Sequence, residues 1–140
     1  MKNFLLTTLA LIVINQFIAQ SDSIPAIKVR KAPDTSQVYM IAEQMPVFPG
    51  GEQALFQFLR SKITYPDSLK EKNIQGMVYL SFVIEKDGSI TNIEAKRSPH
   101  LALTEESIRV LKLMPKWKPA LQQEKPVRVR FVLPIRFNLK

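Results

Sequence analysis

Cysteine is absent from this 140-residue chain, histidine and tryptophan occur once each, and glycine only four times. Without cysteine there is no disulfide framework, no thiol nucleophile, no lipidated mature N-terminal Cys and no cysteine-ligated zinc or iron–sulfur site. The lone histidine, His100, follows Pro99 in a loop signal, where a solvated ring is the expected state and a general base is not. Glu105 and Glu106 are neighbours on a helical stretch and diverge, so they cannot serve as a paired acid and base. The serines show no nucleophile-elbow context. No enzyme activity, cofactor or metal is expected. The length allows one ordinary domain plus something short and excludes a two-domain enzyme. With 46% hydrophobic and 23% charged residues, the chain can bury a single core and lacks the composition of a disordered protein.

Long apolar runs are also missing. The longest, Phe4 to Ile14, is interrupted by Thr7 and Thr8. It follows a basic start at Lys2 and stops short of the roughly 20 apolar residues that cross a bilayer. Residues 1–20 read as a signal peptide cleaved after Ala19 or Gln20, with a short uncleaved anchor as the alternative. Either way the remainder is exported. Removing Lys2 with this segment leaves 19 basic and 12 acidic groups, a net of +7. Outside the cytoplasm such a surplus points to acidic proteins, envelope polymers or lipid headgroups, or merely keeps the domain soluble. Nucleic acid is not expected. Residues 21–44, punctuated by Pro25 and Pro33 and without an apolar period, read as a flexible linker to a domain spanning 45–140.

From Met45 the pattern tightens. Pro46-Val47-Phe48-Pro49-Gly50-Gly51 is an extended lead-in, after which Leu55, Phe58 and Leu59 recur at helical spacing over Glu52 to Ser61. Tyr65-Pro66 opens a short helical turn with Leu69 inward. Asp87-Gly88 between two β-rich runs predicts a type I′ hairpin that pairs Lys86 with Ser89. That register sets Ile84 opposite Thr91, Phe82 opposite Ile93, Leu80 opposite Ala95 and Ser81 opposite Glu94. Thr104 is the expected cap of a further helix, which Pro115 ends. Trp117 is assigned to the core. The last strand, from about Val127, sets Val129, Phe131, Leu133, Ile135 and Phe137 on one face with Val127. Arg128, Arg130, Val132, Pro134 and Arg136 lie on the other, and Pro134 argues for a sheet edge.

The expected fold is α+β: a three-stranded antiparallel sheet with two main helices packed on one face. A right-handed crossover sets the last strand antiparallel beside the first hairpin strand, with one open edge.

Tyr65-Pro66, Gly76, Asp87-Gly88, Met114-Pro115-Lys116-Trp117-Lys118-Pro119, Lys125-Pro126-Val127 and the Phe131-to-Phe137 ending together resemble a TonB C-terminal domain. The version with a Phe-Pro-Gly-Gly lead-in, of Bacteroidetes-type bacteria, is the most similar, and the resemblance covers roughly residues 45–140. It implies a TonB/TolA C-terminal-like fold in the periplasm, soluble or held at the inner membrane by residues 1–20. It also implies capture of a short segment of outer-membrane receptors, the TonB box, as an added β-strand during energy-dependent transport. By that resemblance Tyr65, Pro66, Val127, Arg128, Val129, Arg130, Phe131, Val132, Leu133 and Arg136 form the partner-binding site. Proton-driven inner-membrane motor proteins are the implied second partner, and a homodimer stays open. The alternative is a soluble periplasmic protein that binds or assembles envelope components without transducing energy, because a full transducer carries an anchor with a histidine and a long Pro/Lys-rich spacer.

Overall fold

The computed structural model describes residues 36–140. The signal peptide or anchor expected at 1–20, and most of the expected linker, lie outside these residues. Elements follow in the order β1 (Val38–Tyr39), α1 (Glu52–Lys62), α2 (Asp67–Glu71), β2 (Gly76–Ile84), β3 (Ile90–Arg97), α3 (Leu101–Lys112), β4 (Ala120–Gln122) and β5 (Lys125–Phe137). None of the described helices is long and apolar enough to cross a membrane.

The α+β class holds, and β5 lies antiparallel to β2 as the crossover rule requires. Alternation builds the core. Val78, Leu80, Phe82 and Ile84 of β2 and Leu133, Ile135 and Phe137 of β5 turn to the helix side, where Leu55 and Leu59 of α1 and Val110 and Leu111 of α3 meet them. Trp117 is 3% exposed and stacks edge-on against Phe48, with Phe82 and Phe131 also within ring contact.

The turn between β2 and β3 differs from the type I′ expectation. Gly88 N donates to Glu85 O at 2.9 Å, and of the two turn residues Asp87 and Gly88 only the glycine has positive φ, +87°. This is a type I turn closed by a glycine bulge. The Asp87 carboxylate selects it by accepting from both the Ser89 amide and hydroxyl. The register near the tip is therefore one residue off: Ile84 faces Ile90 and Val83 faces Thr91. An irregularity at Asn92, φ +50°, absorbs the difference, so Ser81 faces Glu94 and Leu80 faces Ala95 as expected. Gly88 also carries a long-range contact. Trp117 N donates to its carbonyl, and a Cβ there would overlap the Trp117 carbonyl oxygen.

Three further differences concern ends and edges. Helix α3 starts earlier than Thr104: His100 is the N-cap, its Nδ1 accepting from Ala102 N at 3.0 Å. The sheet gains β4, joined to β5 through Gln123 and Glu124, both in the left-handed region. Finally, the stretch assigned to a linker up to residue 44 is structured from β1 onward. Val38 and Tyr39 pair parallel with Arg128 and Val129, Ala42 is buried against Val127 and Val129, and Gln44 bridges Leu121. Residues 38–42 form an apolar run, Val-Tyr-Met-Ile-Ala, of which Met40 and Ile41 stay exposed while Tyr39 and Ala42 join Ala120, Val127 and Val129 in a second small cluster that the helices do not reach.

Candidate functional site

The direction of each amide along β5 follows from the hairpin. Glu85 N donates to Ser89 O, so Glu85 and the residues two apart from it in β2 point their N–H and C=O toward β3. The intervening residues of β2 then point toward β5, where their partners are Val129, Phe131, Leu133, Ile135 and Phe137. By the same alternation the amide groups of Val132, Pro134 and Arg136 face away from β2. Pro134 can sit inside a long strand for this reason: its missing N–H falls on the outer margin, not in the ladder.

Part of that margin is covered by the chain itself. Arg128 is matched with β1, Val127 with Ala120 of β4 and Val129 with Ile84, so these three expected docking residues are already paired. Val127 and Val129 are buried as well. Beyond β1, from Val132 to Arg136, no described residue pairs with the outer margin. The open stretch is thus shorter than the whole last strand.

The three arginines of the expected site, Arg128, Arg130 and Arg136, divide in two. Arg128 grips Glu85 through Nε at 2.7 Å and Nη2 at 3.1 Å and donates to Ser36 O. That fork, helped by a hydrogen bond from Thr91, holds the Glu85 carboxyl below its ordinary range against the opposing effect of burial. Arg130 donates to the buried Ser81 hydroxyl at 3.0 Å and lies over the outer face of β2, where Val83 is also buried. Only Arg136 of the three is exposed and without a partner among the described residues.

Tyr65 and Pro66 stand at the far end of β5. The Tyr65 hydroxyl donates to Ile74 O, and its ring meets Phe137 edge-on at 5.7 Å. The Pro66 carbonyl accepts from Leu69 N and Lys70 N at the start of α2. Of the expected site, Phe131, Val132, Leu133, Arg136 and Tyr65 come together along one groove; Val127 to Val129 do not. Pro66 adjoins this end through Tyr65.

The groove runs between the open margin and α1. Nearer β1 it is a cavity of about 350 Å³ walled by Val47, Phe48, Phe56, Trp117, Val132 and Pro134. Toward the end of β5 it continues as a cavity of about 570 Å³ beside Phe56, Arg60, Tyr65, Pro134, Arg136 and Phe137. Phe56 and Arg60 were missed by sequence reasoning. The available signal was Phe56 itself, a large aromatic outside the Leu55–Phe58–Leu59 stripe that is 51% exposed. The opposite sheet edge, β3, offers no comparable margin: its register is broken between Ser81 and Val83 and again between Tyr79 and Leu80, and it carries Glu94, Lys96 and Arg97. Among the described residues no group of His, Asp and Glu could hold a metal ion.

Residues 61–139 match the family model of the Gram-negative bacterial TonB protein C-terminal. No curated protein matches the chain. Two solution structures of the Helicobacter pylori TonB C-terminal domain are similar to it, each with a TM-score of 0.48 over 63% of this chain. The longer is 26% identical with 79% of its length covered, the shorter 27% identical with 92% covered.

Proposed function

The chain belongs to the family of Gram-negative bacterial TonB protein C-terminal domains, and from that premise we propose that it captures an extended segment of another protein along β5. The family is one of periplasmic protein-interaction domains and is not known as an enzyme family. The finer reading is that the captured segment is the TonB box of an outer-membrane receptor, bound by strand addition during energy-dependent transport across the outer membrane.

One observation carries it: the outward amides of Val132 and Arg136, with the Pro134 carbonyl between them, meet no partner among the described residues. A visiting strand gains about 0.5–1.5 kcal/mol net for each hydrogen bond. Ordering its backbone costs roughly 1–2 kcal/mol per residue. Main-chain pairing alone therefore about breaks even, and side chains in the adjoining groove must supply the rest.

The test is amide hydrogen exchange with a synthetic peptide from the N-terminal segment of an outer-membrane receptor. Slowed exchange at Val132 and Arg136 supports docking on this margin. Binding that leaves both amides unchanged and protects another surface removes the proposal. Attachment to the inner membrane through residues 1–20 is a separate proposal, tested by fractionating cells: recovery of a processed chain in the soluble periplasmic fraction excludes direct coupling to an inner-membrane motor.

A further inference from the structure

The sheet has one face without helices. On it the alternation of β2 and β5 sets Met77, Tyr79, Ser81 and Val83 beside Arg130, Val132, Pro134 and Arg136. At β3 the register break between Tyr79 and Leu80 inserts Lys96 as an extra residue next to Arg97, the partner of Tyr79. The face thus carries five basic side chains, Lys96, Arg97, Arg128, Arg130 and Arg136, against two acidic ones, Glu85 and Glu94. Both acids are already paired, Glu85 with Arg128 and Glu94 with Lys96. Arg97 and Arg136 are exposed and have no partner among the described residues. The two halves of β2 also differ here. Ser81 and Val83 are fully buried, and the Ser81 hydroxyl accepts from Arg130. Met77 and Tyr79 are only half-buried, and beside them opens a depression of about 510 Å³ walled by Arg97, Ser98 and Pro99. Gly76 makes room for that wall, because a Cβ there would stand 3.1 Å from Pro99 Cγ.

We infer that this face docks on acidic phospholipid headgroups, with one phosphate seated in the depression between Arg97 and Tyr79 and a neighbouring one met by Arg136. The Arg97 guanidinium and the Tyr79 hydroxyl, which also has no partner among the described residues, supply the donors, and Met77 and Pro99 an apolar margin. Basic groups spread over β3 and β5 suit a surface of many phosphates, each Lys or Arg adding to the attraction. A folded protein partner needs an apolar centre to its interface, and the centre of this face is already sealed beneath Arg130. The outer margin of β5 lies in the plane of the sheet, so Val132 to Arg136 stay open when the domain lies on a bilayer. Lipid docking therefore does not depend on capture of a segment at that margin.

Flotation of the full chain with vesicles of phosphatidylcholine and phosphatidylglycerol in equal parts tests this, together with resonance broadening by a spin-labelled lipid. Binding is expected to weaken as salt rises, and broadening to be strongest at Tyr79 and Arg97. Arg97→Gln and Arg136→Gln, at exposed positions without partners, should each weaken binding about fivefold. Tyr79→Phe, which keeps the ring and removes the hydroxyl, should weaken it about threefold. Lys72→Gln, the same loss of charge at the end of α2, should leave it unchanged. Pure phosphatidylcholine vesicles should not broaden Tyr79 or Arg97. Equal losses in Lys72→Gln and Arg97→Gln would show net charge acting without a site and overturn the proposal. Binding indifferent to Arg97→Gln and Arg136→Gln, as attachment through residues 1–20 alone requires, would overturn it too. Resonance shifts at Tyr79 and Arg97 caused by a polyglutamate peptide and not by the vesicles would replace it with an acidic protein partner.

Discussion

Glu85 and Arg128 show how one residue pair closes a surface that sequence patterning leaves open. They lie across the end of β2 and β5 as a two-point charge-assisted contact, each about a quarter exposed or less. Glu85 is held below its ordinary range in the folded state, so its contribution is complete above the unfolded pKa and drains away as pH falls through the folded value. Glu85→Gln should therefore lower the melting temperature at neutral pH, with the gap to the natural chain closing in acid; a gap independent of pH would show that the carboxylate charge is idle. Gly88 is the second residue on which long-range structure turns. Gly88→Ala meets both a left-handed φ and the Trp117 carbonyl, and the expected loss is roughly 2–4 kcal/mol in urea unfolding.

At the scale of elements, β5 carries two different backbones within one strand. Residues whose amides face β2 hold the sheet together, whereas those facing outward pair with β1 at Arg128 and meet no described partner from Val132 to Arg136. Proline tells them apart. Val132→Pro removes an outward N–H and should weaken peptide capture at least about tenfold with little change in stability. Leu133→Pro removes a donor to Leu80 and should cost about 2–4 kcal/mol of stability. Circular dichroism in urea beside peptide calorimetry checks the pair, and equal behaviour of the two variants would refute the assignment of amide directions. The long elements of this fold were legible because their periods are strong: 3.6 in α1, 2 in β2 and β5. The turn at Asp87-Gly88 was legible in place but not in type, since the choice between a type I′ turn and a type I turn with bulge depends on the Asp87–Ser89 hydrogen bonds, not on the dipeptide.

Across the whole molecule, the segment leading into the domain is a structural strap. It pairs with β5, covers Val127 and Val129 through Ala42, bridges β4, and meets the hydrophobic core at Phe48. Ala42→Asp sets a carboxylate into that small cluster and should destabilise the domain by about 2–4 kcal/mol in thermal or urea unfolding. Unchanged stability would mean that residues 36–44 are a dispensable tail. The same strap occupies the margin beside Arg128 and leaves the stretch from Val132 to Arg136 unpaired among the described residues.

By itself the sequence determined the α+β class, the antiparallel pairing of the last strand with the first hairpin strand, and the buried place of Trp117. These follow from local periodicity and turn chemistry, which neighbouring residues carry. Only the tertiary structure decided that Val127 to Val129 are paired within the chain, that Arg128 is spent on Glu85, and that Phe56 and Arg60 face the open margin. Each of these joins residues tens of positions apart, and no local period encodes such a meeting.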